Sequence, residues 1–212
     1  MSVTDSKASG IITNKSLQAY FFDSVNAAVK NQRLDTRDEI ISYLVNLLTS
    51  FSRSEGLFHY DQDGVSLKPL ALMYSDALAE TMPALRIRIL QKLGDTALFI
   101  SGVFSDSLNT RLVDVDYYVA MGGNAYACIS DNLRYSQPNA SAQPSVYDEL
   151  TSQFVDFVDV LSEVTESKSV VSDADIMRLY EVWMRTGSKR TAALLKKLGI
   201  DPVPPATVDF KH

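Results

Sequence analysis

The chain has 212 residues, 46% hydrophobic and 22% charged, so it is an ordinary globular composition long enough to bury a core without a metal or disulfide staple. A net charge of −6 and a pI near 4.9 argue against a surface given over wholly to nucleic acid or anionic lipid. Cys128 is the sole cysteine, which excludes an internal disulfide; in its apolar stretch it reads as a small buried hydrophobe, and nothing calls for an oxidising compartment.

Residues 1–13 are expected to be a disordered lead: Met1 to Gly10 is polar and has no apolar run of signal-peptide length. Leu17, Tyr20, Phe21, Ala28 and Val29 recur at helical spacing and predict a helix over 15–31. Thr36 with Glu39 three residues on predicts a capping box. It would open a helix whose stripe is Ile40, Ile41, Leu44, Leu47, Leu48 and Phe51. The segment Gly56 to Gly64 is short and aromatic and predicts a loop or a brief β-bridge. A third helix is expected over 68–81 with Pro69 in its first turn, and Pro83 should start the next.

Residues 84–133 change character. Ala97, Leu98, Phe99 and Ile100 are apolar on every side of a helix, and 113–133 behaves likewise, so 84–133 is expected to be a central buried helical hairpin wrapped by the other helices. Tyr135 to Pro144 reads as a polar loop. One long amphipathic helix is then expected over 145–164, on the stripe Val146, Leu150, Phe154, Phe157, Val158 and Leu161. Ser172 should cap a helix over 173–186, and Ser188 a last one over 189–198. Asp201-Pro-Val-Pro-Pro cannot continue it. The expected fold class is all-α, an irregular bundle of about eight helices. Residues 14–200 would form one domain, 173–199 a basic helix pair within it, and 201–212 a Pro-rich tail.

The stretch Leu93-Gly-Asp-Thr-Ala-Leu-Phe-Ile-Ser-Gly-Val-Phe-Ser-Asp-Ser-Leu108, followed by Val115-Asp-Tyr-Tyr-Val-Ala-Met-Gly-Gly-Asn-Ala-Tyr126, resembles an uncharacterised family of bacterial cytosolic proteins with the same paired phrases. The resemblance covers about 40 of the residues, implies a bacterial source, and brings no activity or catalytic residue with it.

Asp95 and Asp116 border this apolar helix, and a buried carboxylate needs a partner. Arg86, Arg88 and Arg111 are the expected ones, in an ion pair or cap that pins the hairpin. The alternative is a ligand pocket floored by Gly94, Gly102, Gly122 and Gly123 and walled by Tyr117, Tyr118 and Tyr126. Asp61-Gln-Asp-Gly64 has two of the main calcium ligands wrong for a calcium loop and reads as a turn. With His59 and His212 as the only histidines there is no hydrolytic triad and no Cys/His zinc site, and no phosphate-loop pattern occurs. No catalytic residue, metal or cofactor is therefore expected.

The electrostatic anomaly lies between Arg178 and Lys197, which carries +5 and leaves −11 for the remainder. Thr186 to Ile200 resembles the first helix and turn of a Fis-type helix-turn-helix. Asp201-Pro-Val-Pro-Pro stands where the recognition helix should follow, so nucleic acid is not the expected partner. Arg185, Lys189, Arg190, Lys196 and Lys197 are instead expected to dock an acidic protein or the acidic body of a second copy. No run approaches the ~20 apolar residues of a membrane span. The expected protein is a cytoplasmic, non-catalytic regulatory or adaptor protein, with a small-molecule binder or enzyme built on the hairpin as the alternative.

Overall fold

The computed structural model describes residues 14–52, 59–61, 64–66, 68–104, 115–136, 145–165 and 173–202. Among them run nine helices: α1 (Asn14–Gln32), α2 (Asp38–Phe51), α3 (Leu70–Ala79), α4 (Pro83–Val103), α5 (Val115–Ser136), α6 (Val146–Ser152), α7 (Phe154–Thr165), α8 (Asp173–Thr186) and α9 (Lys189–Lys197). A two-stranded antiparallel hairpin, β1 (His59–Asp61) with β2 (Gly64–Ser66), stands between α2 and α3 in register Tyr60↔Val65. The architecture is the expected all-α bundle. The expected lead 1–13, Ser172, Arg111 and the tail beyond Pro202 lie outside the described residues. No helix of the described residues is long and apolar enough to cross a membrane.

Helices α4 and α5 lie along one another and form the centre. Helices α3 and α7 pack on α4, α1 joins α2 to α7, and α9 sits on α7 and α8. The all-round apolar segment of α4 is buried as its pattern demands: Leu93, Gly94 and Thr96 to Gly102 all lie inside. Its hydroxyls are satisfied within their own helix, Thr96 donating to the Lys92 carbonyl at 2.7 Å and Ser101 to that of Ala97 at 2.8 Å. Seven apolar side chains of α2 are buried, a gross contribution on the order of 10–20 kcal/mol before chain entropy is set against it. Among them Phe51 stacks on Phe99 with ring centroids 4.5 Å apart.

Three local expectations need correction. Thr36 is not a cap: Arg37 holds the N-cap position without a side-chain bond, and Thr36 donates instead to Glu149 at 2.5 Å. Glu149 also accepts from Arg37 Nε at 2.6 Å, so a carboxylate from α6 steadies the start of α2. The long helix expected over 145–164 is two, because Gln153 leaves the helical region (φ −116°, ψ 24°). It starts where expected, and a Ser145–Asp148 capping box that is not among the sequence expectations closes its N-terminus. Pro69 occupies the N-cap of α3 instead of its first turn, and Pro83 opens α4 as expected.

Candidate functional site

Asp95 lies on the face of α4 that meets α2 and α5, and its partners are not arginines. Tyr43 of α2 and Tyr126 of α5 both donate their hydroxyls to one oxygen, Asp95 Oδ1, the latter at 2.8 Å. The Tyr43 and Tyr126 rings meet edge-on at 6.3 Å, and Tyr147 of α6 packs against both. Burial pushes the Asp95 carboxyl above its ordinary value, and the two donated hydrogen bonds offset only part of that. Burial, and then the charge of Asp95, push Tyr43 and Tyr126 above the usual tyrosine range, so both stay donors at physiological pH. The expected arginine partners do not fit: Arg86 spends its guanidinium on the Glu80 carbonyl at 2.7 and 3.1 Å, Arg88 is exposed, and Arg111 is outside the described residues. The cluster ties three helices together through one oxygen.

The glycines expected to floor a pocket are filled by protein. A Cβ on Gly94 would lie 2.5 Å from the Tyr126 ring, one on Gly102 would lie 2.5 Å from Leu161 Cβ, and one on Gly122 would collide with Phe154. Each marks a close approach between neighbouring helices. Gly123, by contrast, has open space beside it. Asp116, Tyr117 and Tyr118 belong to the first turn of α5. Asp116 is exposed and accepts from the Tyr117 N–H at 3.0 Å, while Tyr117 and Tyr118 pack edge-on against each other at 5.4 Å. Tyr118 also packs against Ile100 and Val115. Asp95 and Tyr126 therefore meet, and Asp116, Tyr117 and Tyr118 sit about two to three turns away along the hairpin.

The basic residues near the C-terminus assemble differently. Helix α7 carries acids at Asp156, Asp159 and Glu163, spaced i, i+3, i+7 on one face. The start of α9 lies on them. Lys189 pairs with Asp156 at 3.0 Å, and Arg190 with Glu163 at 3.7 Å. Ser188 caps α9, accepting from the Thr191 N–H at 3.0 Å, while its hydroxyl donates to the buried Asp159 at 2.6 Å. Glu163 also accepts from Asn31 and Gln32 at the end of α1, both at 2.8 Å. The acidic body that the basic helix was expected to dock is, for Lys189 and Arg190, this chain's own α7. Burial raises Asp159 to about 6, against the hydrogen bond from Ser188 and the charge of Arg190.

Between α1, α7 and α9 opens a cleft of about 610 Å³, lined by those three acids together with Arg33, Leu34, Lys189, Ala193, Leu194 and Lys197. Its acids are engaged. Among the described residues no partner holds the side chains of Arg33 and Lys197, both exposed at the mouth. Arg33 ends α1 with φ 54°, a left-handed conformation that non-glycine residues seldom adopt, and Leu34 N–H bonds back to the Val29 carbonyl at 3.0 Å. Lys196 stands off the cleft, 3.9 Å from Asp201 in an exposed pair, and Arg185 is exposed near the end of α8. Cys128 is half-buried, and no group of His, Cys, Asp and Glu among the described residues could hold a metal ion.

Sequence reasoning missed Tyr43, Tyr147, Arg33 and the acid triplet of α7. Only the triplet carried a signal, three carboxylates at helical spacing within an apolar helix. Comparison of the chain with protein families, with curated proteins and with solved structures finds no match in any of the three.

Proposed function

We propose that this is a non-catalytic regulatory or adaptor protein of the cytoplasm that holds an acidic segment of a partner protein at the mouth of the α1/α7/α9 cleft. The observation that carries the reading is the division of charge there. The acids lining the cleft are satisfied within the chain, while Arg33 and Lys197 face solvent at the rim. A partner carboxylate approaching the cleft meets exposed cations at Arg33 and Lys197, while the lining acids already hold partners within the chain.

The test is charge reversal at the rim. Arg33→Glu with Lys197→Glu should abolish recovery of co-purifying protein from the source cell and leave the thermal midpoint in place. Arg33→Gly is the companion variant: it relieves the left-handed residue and should raise stability by about 0.5–1 kcal/mol while weakening recovery. Undiminished recovery by both variants would sink the proposal. A second reading, a small-molecule binder, is favoured by the volume of the cleft, which is within the range of ligand sites. Native mass spectrometry separates the two: a retained mass of about a few hundred daltons lost on Lys197→Glu supports the ligand, and a second polypeptide supports the adaptor.

A further inference from the structure

Apolar residues scattered singly over a surface need no explanation, but a concentration of them does. Between Leu78 and Leu85 the chain turns from α3 into α4, and six of those eight residues are both apolar and exposed: Leu78, Ala79, Met82, Pro83, Ala84 and Leu85. Leu78 is 66% exposed, Met82 58% and Leu85 39%. This corner is braced. Arg86 donates twice to the Glu80 carbonyl, at 3.1 Å from Nε and 2.7 Å from Nη2, and the Glu80 carboxylate accepts from the Met82 N–H at 2.8 Å. The polar groups of the turn are thus used to hold it, and its apolar side chains are held outward with little left to lose on docking.

The same helix supplies charge. Arg88 and Lys92 are exposed on α4, and no side chain among the described residues pairs with either. They follow Leu85 at i+3 and i+7, one face of the helix, which places them roughly 4.5 and 10.5 Å along its axis. The surface is therefore an apolar pad continued by a cationic line, in a chain whose net charge is −6.

We propose that this α3–α4 corner is a second docking surface and that its occupant is an amphipathic helix of a partner protein. The helix runs alongside α4, with apolar side chains on Leu78, Met82 and Leu85 and carboxylates about two turns further on that meet Arg88 and Lys92. A basic helix would be repelled, and a purely apolar one would leave the two cations without a counter-charge. The surface is separate from the α1/α7/α9 cleft, and together the two would give an adaptor the two contacts it needs.

The experiment places the photo-crosslinking residue p-benzoylphenylalanine at Leu78 of the full chain in its source cell, with the same group at exposed Ser42 of α2 as control, and reads the crosslinked peptide by mass spectrometry. The expected peptide carries an apolar cluster with Asp or Glu about six to eight residues away. Arg88→Glu with Lys92→Glu should cut its yield about fivefold or more without moving the thermal midpoint. Arg33→Glu with Lys197→Glu should leave it intact, so failure of the cleft reading and failure of this one are distinguishable. The proposal is overturned by a Leu78 yield no higher than that at Ser42, by a crosslink to a second copy of this chain, by a peptide without acids at that spacing, or by a yield indifferent to charge reversal on α4.

Discussion

Asp159→Asn should stabilise the protein at pH 7 and leave it nearly unchanged at pH 4. The carboxyl of Asp159 is buried between α7 and α9, 6% exposed, with the Ser188 hydroxyl 2.6 Å away. Burial raises it to about 6 from an ordinary value of 3.8. The folded protein thus holds this proton more tightly than the unfolded chain. The group's favourable contribution is complete below pH 3.8, drains as the pH climbs toward about 6, and is absent above. At 1.36 kcal/mol per pH unit the loss comes to about 3 kcal/mol. An asparagine still offers an oxygen to Ser188 and carries no charge to desolvate, so the variant should gain about 2 kcal/mol at pH 7 after allowing for a less favourable contact with the start of α9. Urea unfolding followed by Trp183 fluorescence at pH 4, 5, 6 and 7, in both proteins, isolates this group because all other carboxylates titrate in each. Parallel profiles would refute the argument, as would a variant less stable than the parent at pH 7 and equal at pH 4. The second result would mean that Arg190 and the helix N-terminus stabilise the anion more than burial penalises it.

Gly94→Ala should cost about 2 kcal/mol against urea, because the added methyl meets the fully buried Tyr126 ring. Gly123→Ala, with nothing within 4 Å of the new Cβ, should instead gain up to ~1 kcal/mol from helix propensity; a cost at Gly123 matching that at Gly94 would show that the ring is not the cause. Asp95→Ala should lose about 2–4 kcal/mol by stranding two tyrosine hydroxyls and opening a cavity, whereas Asp95→Asn should be close to neutral, since both hydroxyls converge on one oxygen that the amide retains. Equal losses for the two would mean that the charge itself matters.

The helical layout was legible because it rests on period: the stripe of α2, the all-round apolar segment of α4 and the proline at the start of α4 each follow from spacing or from proline chemistry. The break at Gln153 was not, because the apolar stripe Leu150, Phe154, Phe157, Val158, Leu161 runs through it in phase and no glycine or proline marks it. The same limit explains the site. A one-dimensional reading can see that Asp95 needs a partner but not that helix α2, 52 residues earlier, presents a tyrosine to it. It sees four glycines but cannot tell the three that admit Tyr126, Leu161 and Phe154 from the one beside open space. Long-range pairing, unlike periodicity, is set by how helices are placed against one another, and local spacing carries almost no record of it.

The charge anomaly near the C-terminus shows how far register can carry such a reading. The doublets Lys189-Arg190 and Lys196-Lys197 are seven residues apart, which on a helix makes two parallel lines: Lys189 with Lys196, and Arg190 with Lys197. The leading member of each line lies over α7 and is claimed by Asp156 or Glu163. The trailing member is roughly 10.5 Å further along the axis, about two turns, where it parts from its predecessor's acid. Among the described residues Lys196 meets only the exposed Asp201, a contact worth little in water, and Lys197 lines the cleft, as Arg33 does. One sequence repeat thus does two jobs. Its first half fastens α9 to the body through Asp156 and Glu163, and in its second half Lys197 stands exposed with no partner among the described residues. Without the acid triplet of α7, Lys189 and Arg190 would have nothing to fasten to; without the second doublet, Arg33 would be the one cation lining the cleft that no partner holds among the described residues.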